Sequence, residues 1–180
     1  ERYPFPHMII ENFFPDDVYR QILLHNLFRD NEGKEWLSTH GRLMKTPTPY
    51  EARLQINFHR KEPYKASGEA RRFWDALSRA FLGETWFVEA AIRKFPDYFA
   101  IRYGELFERP DFASLFRREL FLQRHKPGYF IGPHTDVPPR VFTCIFSFAD
   151  REGFEEYGTQ MFVPKDPFAR CWGNDHYTPD

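Results

Sequence analysis

A histidine and an aspartate two positions apart, His134 and Asp136, have the residue types and spacing best suited to chemistry. They end the stretch Gly-Tyr-Phe-Ile-Gly-Pro-His-Thr-Asp at 128–136. In an extended chain, residues i and i+2 point to the same side, about 6–7 Å apart along the backbone. An imidazole and a carboxylate so placed supply two thirds of the two-histidine, one-carboxylate site of non-haem Fe(II) oxygenases. The alternative is a polar turn in which Asp136 hydrogen-bonds local amides and His134 is incidental.

The elements that must position this pair are expected to be helices first and strands later. Apolar spacing and capping residues predict helices over 15–27, 67–83, 86–94 and 110–120. Alternating and aromatic-rich segments predict strands over 6–14, 53–58, 120–125, 140–148 and 159–163, with 140–148 the strongest. This order favours a helical scaffold packed on a β-sandwich or barrel. The aromatic content of 19% suits the inside of such a barrel.

Length, charge and cysteine content narrow the class of protein. The chain has 180 residues, which fits one domain, and its net charge of −1 gives no support for a nucleic-acid or anionic-membrane partner. Its longest apolar stretch, 141–149, is too short to cross a bilayer. Two cysteines in unrelated contexts, Cys144 and Cys171, form neither a disulfide framework nor a zinc site, which predicts a reducing, cytoplasmic compartment.

Other catalytic motifs lack support in this sequence. The sequence has no G-x-S-x-G nucleophile elbow, so an α/β-hydrolase is not indicated. It has no P-loop or G-x-G-x-x-G either, so nucleotide binding is not indicated. Cys144 lies in an apolar segment and is expected to be an inert core residue rather than a nucleophile.

The region around the pair resembles a known enzyme core. "RHKPGYFIGPHTDVPPRVFTCIFSF" followed by "YGTQMFVPKDP" is similar to the Fe(II)/2-oxoglutarate-dependent oxygenases, and among them to bacterial members related to prolyl 4-hydroxylases. The match covers residues 120–167, and residues 4–24 resemble the usual start of such domains. The resemblance implies one α+β, mainly β domain over 1–180, a double-stranded β-helix or jelly roll. Residues 1–118 would supply helix-rich support and the first strands, and 119–180 the first part of the metal-bearing core.

The same resemblance assigns roles to individual residues. His134 and Asp136 correspond to iron ligands. His125 occupies the position of a tyrosine that contacts 2-oxoglutarate in many relatives, the alternative being a packed strand histidine. Thr143 and Thr159 could line the cosubstrate pocket or be ordinary strand threonines. Arg140 lies near the expected mouth, where it could hold a substrate anion or be a solvated rim residue.

The family pattern also requires a second histidine ligand on a later strand. In the family a basic residue follows it by roughly ten positions and pairs with the far carboxylate of 2-oxoglutarate, a task that suits the bidentate fork of arginine. His176 is the only histidine after Asp136, and it lies in a polar, loop-like run 42 residues after His134. It is a candidate third ligand, but the favoured expectation is that the final strands, with the histidine and the arginine, lie beyond Asp180.

Three functions remain open at this point. The first is a hydroxylase of a small molecule or peptidyl side chain, using Fe(II) and dioxygen and converting 2-oxoglutarate to succinate and carbon dioxide. The second is a non-catalytic ligand- or protein-binding module of the same fold. The third is a cupin-like metalloprotein that uses His125, His134 and Asp136 without 2-oxoglutarate.

Overall fold

The computed structural model describes residues 5–29, 53–59, 64–125, 129, 131–148, 158–163, 165–166 and 168. The chain divides into two compact units. The terminal unit consists of Glu1–Leu24, Glu35–Leu54 and Arg124–Asp180, and the central unit of His25–Lys34 and Gln55–Gln123. Every candidate site residue that the structure describes belongs to the terminal unit. The prediction was one domain, with a supporting part over residues 1–118 and a metal-bearing core over 119–180. That prediction remains untested.

Four helices and two strands are formed within the described part of the chain. They are α1 (Asp16–Leu24), β1 (Arg53–Asn57), α2 (Gly68–Leu82), α3 (Trp86–Lys94), α4 (Pro96–Tyr103) and β2 (Phe121–His125), with 3-10 helices at Gly104–Glu108 and Phe112–Leu115. β1 and β2 pair as an antiparallel two-stranded sheet. None of the described helices has the length and apolar content needed to cross a membrane.

Local sequence signals explain where the helices begin and end. The Ser67 hydroxyl accepts a hydrogen bond from the Ala70 amide (3.2 Å) and so caps α2. α2 ends at Gly83, whose amide donates to the Arg79 carbonyl (2.7 Å); a Cβ there would lie only 2.9 Å from that oxygen. Gly104 ends α4 with a φ of 53°, a backbone region that glycine tolerates best. The predicted limits of α2 are therefore confirmed. α3 also begins and ends as predicted, at Trp86 and Lys94.

The core of the central unit is built mainly from aromatic and aliphatic side chains on helices. Trp74 of α2 is buried, stacks on Phe58 (ring centroids 5.5 Å apart) and donates its indole N–H to the His25 carbonyl at 2.7 Å. Gln123 donates to the buried Gln55 (2.7 Å), which satisfies an amide oxygen inside the sheet.

A second group of rings packs α4 against the two 3-10 helices. Phe99 is 1% exposed and meets Phe112 and Phe116 edge to face at centroid distances of 6.2 and 5.9 Å. Tyr103 contacts the same two rings. Edge-to-face packing of this kind adds to the burial of the rings themselves.

Several predicted elements differ from the observed ones. Residues 6–14, 140–148 and 159–163 form no strand, although each has the composition of one. A strand requires a second backbone edge within hydrogen-bond reach, and composition alone does not supply that edge. The predicted helix 110–120 is only the short 3-10 helix Phe112–Leu115, after which the chain extends towards β2. α4 was not predicted, although Pro96 at its first turn favours a helix start.

The small sheet neither confirms nor excludes the jelly roll, which stays a prediction.

We expect Ser67→Ala to lower the free energy of unfolding by about 1 kcal/mol, because the Ala70 amide loses its capping acceptor. Urea denaturation followed by circular dichroism measures the change. The matched control is Ser78→Ala in the same helix, where the hydroxyl only donates to the Asp75 carbonyl. An equal loss in both variants would show that the cap contributes nothing specific.

Candidate metal centre

Aromatic side chains fix the segment after the His-Thr-Asp motif to the start of the chain. Phe146 lies 4.8 Å from Phe13 and 5.2 Å from Phe14, measured between ring centroids. Phe148 contacts Phe14 and Tyr19 of α1. These contacts lie within the terminal unit. Residues 140–148 are thus held by ring packing rather than by a strand ladder.

A short hydrogen bond to the backbone two residues earlier orients the His134 ring. Its Nδ1 lies 2.8 Å from the carbonyl oxygen of Gly132, a buried residue. A carbonyl oxygen can only accept, so Nδ1 carries the proton and donates it. With the proton on Nδ1, the neutral form of the ring has its lone pair on Nε2. Metal-binding histidines commonly have this arrangement, in which the second ring nitrogen donates to a carbonyl or carboxylate.

Asp136 has a hydrogen-bond donor on each of its carboxylate oxygens. Nη1 of Arg140 donates to Oδ1 at 2.8 Å, and the Thr143 hydroxyl donates to Oδ2 at 2.5 Å. Both bonds involve an ionised acceptor and are therefore of the stronger class. The ionised carboxylate has about four lone-pair positions, so two donors leave it able to accept further partners.

A turn between Asp136 and Thr143 brings these donors back to the carboxylate. The amide of Arg140 donates to the Val137 carbonyl at 2.9 Å, closing the turn around Pro138 and Pro139. Pro138 occupies the first central position, where its fixed φ suits a β-turn. Pro139 directly precedes Arg140, so the turn fixes the backbone position from which the Arg140 side chain extends.

His134 and Asp136 have the side-chain types of two metal ligands. Both are half-buried, whereas Thr135 between them is exposed, which is the alternation expected when residues i and i+2 share a side. The donor set of one neutral imidazole and one carboxylate suits a divalent transition metal. Among the residues that the structure describes, no three His, Cys, Asp or Glu side chains form a group that could hold a metal ion. A third protein ligand is therefore not found in that part of the chain.

His125 lies in a second polar cluster of the terminal unit, together with two residues that the sequence did not single out. Its ring stacks on Tyr129, with centroids 4.0 Å apart and planes at 20°. Arg53 donates from Nη1 to the Tyr129 hydroxyl at 3.1 Å. Burial of the imidazole lowers the pKa of His125, and the charge of Arg53 lowers it further. Both effects favour the neutral form of the ring.

The other candidate residues have different settings. Thr143 is exposed and donates to Asp136, so its hydroxyl serves the carboxylate directly. Arg140 is 52% exposed and pairs with that same carboxylate. Thr159 lies in the exposed stretch 158–163. The cosubstrate and substrate roles of these three residues, and that of His125, stay predictions. His176 falls outside the described residues.

Arg53 and Tyr129 could have been found only in part from the sequence. Tyr129 lies inside the stretch that contains the motif, directly after the Pro-Gly turn, so its position was a usable signal. Arg53 reaches it across 76 positions of sequence, and no local pattern reports a contact of that kind.

Comparisons of this chain with models of known protein families, with curated proteins and with solved structures find no match. The resemblance to the oxygenases therefore rests on the motif and its neighbouring segments.

Cys144 is an exposed residue, but neighbouring atoms surround its thiol. The resulting desolvation raises the pKa of the thiol to about 11. Because the thiolate is the reactive form, we expect alkylation by iodoacetamide at pH 7.5 to be about two orders of magnitude slower than for a free cysteine. The Cys171→Ser variant isolates Cys144, and mass spectrometry follows the adduct. The rate should rise about tenfold per pH unit up to the pKa, and urea should abolish the protection. Fast alkylation of the folded protein at pH 7.5 would contradict the shift.

Proposed function

We propose that this chain carries part of the active site of an Fe(II)- and 2-oxoglutarate-dependent oxygenase that hydroxylates a small molecule or a peptidyl side chain. The observation that supports the proposal best is the hydrogen bond from Nδ1 of His134 to the Gly132 carbonyl. It sets the tautomer that a metal ligand needs, and a carboxylate follows two residues later. A turn histidine with no role in binding has no such requirement.

In this proposal His134 Nε2 and an oxygen of Asp136 hold Fe(II). The metal, with 2-oxoglutarate and dioxygen, supplies oxidising chemistry that amino-acid side chains cannot perform alone. Gly132 holds the imidazole in one orientation, while Thr143 orients the carboxylate. The protein's share of the work is to fix these two ligands before the metal arrives, which reduces the reorganisation needed on binding.

The remaining features of the proposal rest on the sequence. His125 is the proposed contact for 2-oxoglutarate, and its neutral ring can donate one hydrogen bond and accept another. Thr159 and His176, the candidate third ligand, complete the proposed set. The near-neutral charge supports a small-molecule or peptide substrate rather than a nucleic acid. The low cysteine content supports a cytoplasmic location.

The second candidate is a non-catalytic binding module of the same fold. It is favoured by one observation, that the described residues contain no complete group of metal ligands. The third candidate is a cupin-like metalloprotein that binds its metal through His125, His134 and Asp136 without 2-oxoglutarate. Metal-dependent binding of 2-oxoglutarate, measured by calorimetry, supports the oxygenase against both.

We expect the purified protein to release succinate when supplied with Fe(II), 2-oxoglutarate, dioxygen and ascorbate, with further release when a substrate is present. His134→Ala and Asp136→Ala should each reduce this release by more than about a hundredfold, because even the loss of a partner to a metal ligand costs 10–100-fold. Succinate is quantified by mass spectrometry.

The matched control is His7→Ala, which removes a histidine of the terminal unit whose ring contacts Phe5. It should retain the release of the unmodified protein. Succinate release that survives the loss of His134 or Asp136 would exclude these residues as ligands. An unmodified protein that binds neither Fe(II) nor 2-oxoglutarate would leave the binding module as the better account.

A further inference from the structure

The carboxylate of Asp136, a proposed metal ligand, is paired with the full positive charge of Arg140. Arg140 lies 2.8 Å from Oδ1, and the side chains of Arg140 and Asp136 are 52% and 29% exposed. Thr143, the donor on the other oxygen, is neutral. The two donors therefore differ in a property that matters to a cation: Arg140 neutralises the carboxylate, and Thr143 only orients it.

A divalent metal and a guanidinium compete for the same carboxylate in two ways. The hydrogen bond from Nη1 occupies a lone-pair position on Oδ1, and the positive charge of Arg140 repels a second cation brought to the same group. Because Arg140 is half-exposed and long, its head group can move into water at little cost. Thr143 cannot move away in the same manner, since its hydroxyl is attached directly to Cβ.

We propose that Arg140 is a built-in counter-ion for Asp136 that a divalent metal must displace, while Thr143 is a positioning residue that stays on Oδ2 and keeps the carboxylate aimed. This inference rests on the proposed metal site. It assigns opposite effects to the two neighbours of one carboxylate: Arg140 lowers the affinity for the metal, and Thr143 raises it. The pair would hold the Asp136 carboxylate oriented when no metal is bound.

The experiment measures the affinity for Co²⁺, which does not oxidise in air and binds nitrogen and oxygen ligands more tightly than Fe²⁺ does. Calorimetry and the visible absorbance of the bound ion give the dissociation constant. Arg140→Gln, which removes the charge but keeps a similar length, should bind Co²⁺ about three- to tenfold more tightly. Thr143→Val should bind it more weakly by about the same factor, and Thr143→Ser should restore the affinity.

Two controls separate this effect from general changes in charge and folding. Arg20→Gln makes the same change in net charge on the exposed side of α1 and should leave the affinity unchanged. Arg140→Lys keeps the charge and should stay close to the unmodified protein. The difference between Arg140 and Arg140→Gln should also shrink as salt is added, because an exposed charge is screened. Circular dichroism confirms that each variant is folded.

The outcomes distinguish the two proposals. If the unmodified protein binds Co²⁺ but Arg140→Gln binds it equally or less tightly, the counter-ion role is wrong and the proposed function stands. If Thr143→Val binds as tightly as the unmodified protein, the positioning role is wrong. If neither the unmodified protein nor Arg140→Gln binds Co²⁺, the metal site itself is wrong, and both proposals fail together.

Discussion

The carboxylate of Asp136 is the group on which the candidate site depends, because it joins three parts of one segment. It accepts from Arg140, four positions later, and from Thr143, seven positions later. The turn around Pro138 makes both contacts reachable. Without a carboxylate at that position, the guanidinium of Arg140 and the hydroxyl of Thr143 would lose their shared acceptor. A charge-assisted contact thus organises the segment from Asp136 to Thr143.

That organisation explains which parts of the structure could be predicted from the sequence. The limits of α2 follow from Ser67 and Gly83, and those of α3 from a short amphipathic run, because these signals act within a few residues. The shared side of His134 and Asp136 stays a prediction, with which the partial burial of both residues and the exposure of Thr135 agree. Residues 140–148 were misjudged as a strand because strand formation depends on a distant partner edge. The contacts between Arg53 and Tyr129 and between Gln55 and Gln123 were invisible for the same reason.

The aromatic side chains of the central unit show a use that was not expected from the sequence. Rings were predicted to fill the inside of a barrel, yet many of them pack helices in the central unit, as Trp74 and Phe99 do. A ring buries a similar area against a helix as against a sheet, and edge-to-face contacts form in both settings. High phenylalanine content therefore indicates a ring-rich core without specifying the elements around it. In the terminal unit, Phe146 and Phe148 show the same principle, because they anchor an extended segment that has no ladder.

The short reach of the contacts around the motif has a consequence for how the chain folds. Gly132 to His134, Val137 to Arg140, Asp136 to Arg140 and Asp136 to Thr143 each close a loop of seven residues or fewer. The entropy lost on closing a loop grows with its length, so these are among the least costly contacts the chain can make. A segment built in this way can become ordered early, on the timescale of turn formation, before the rings from distant parts of the chain have met.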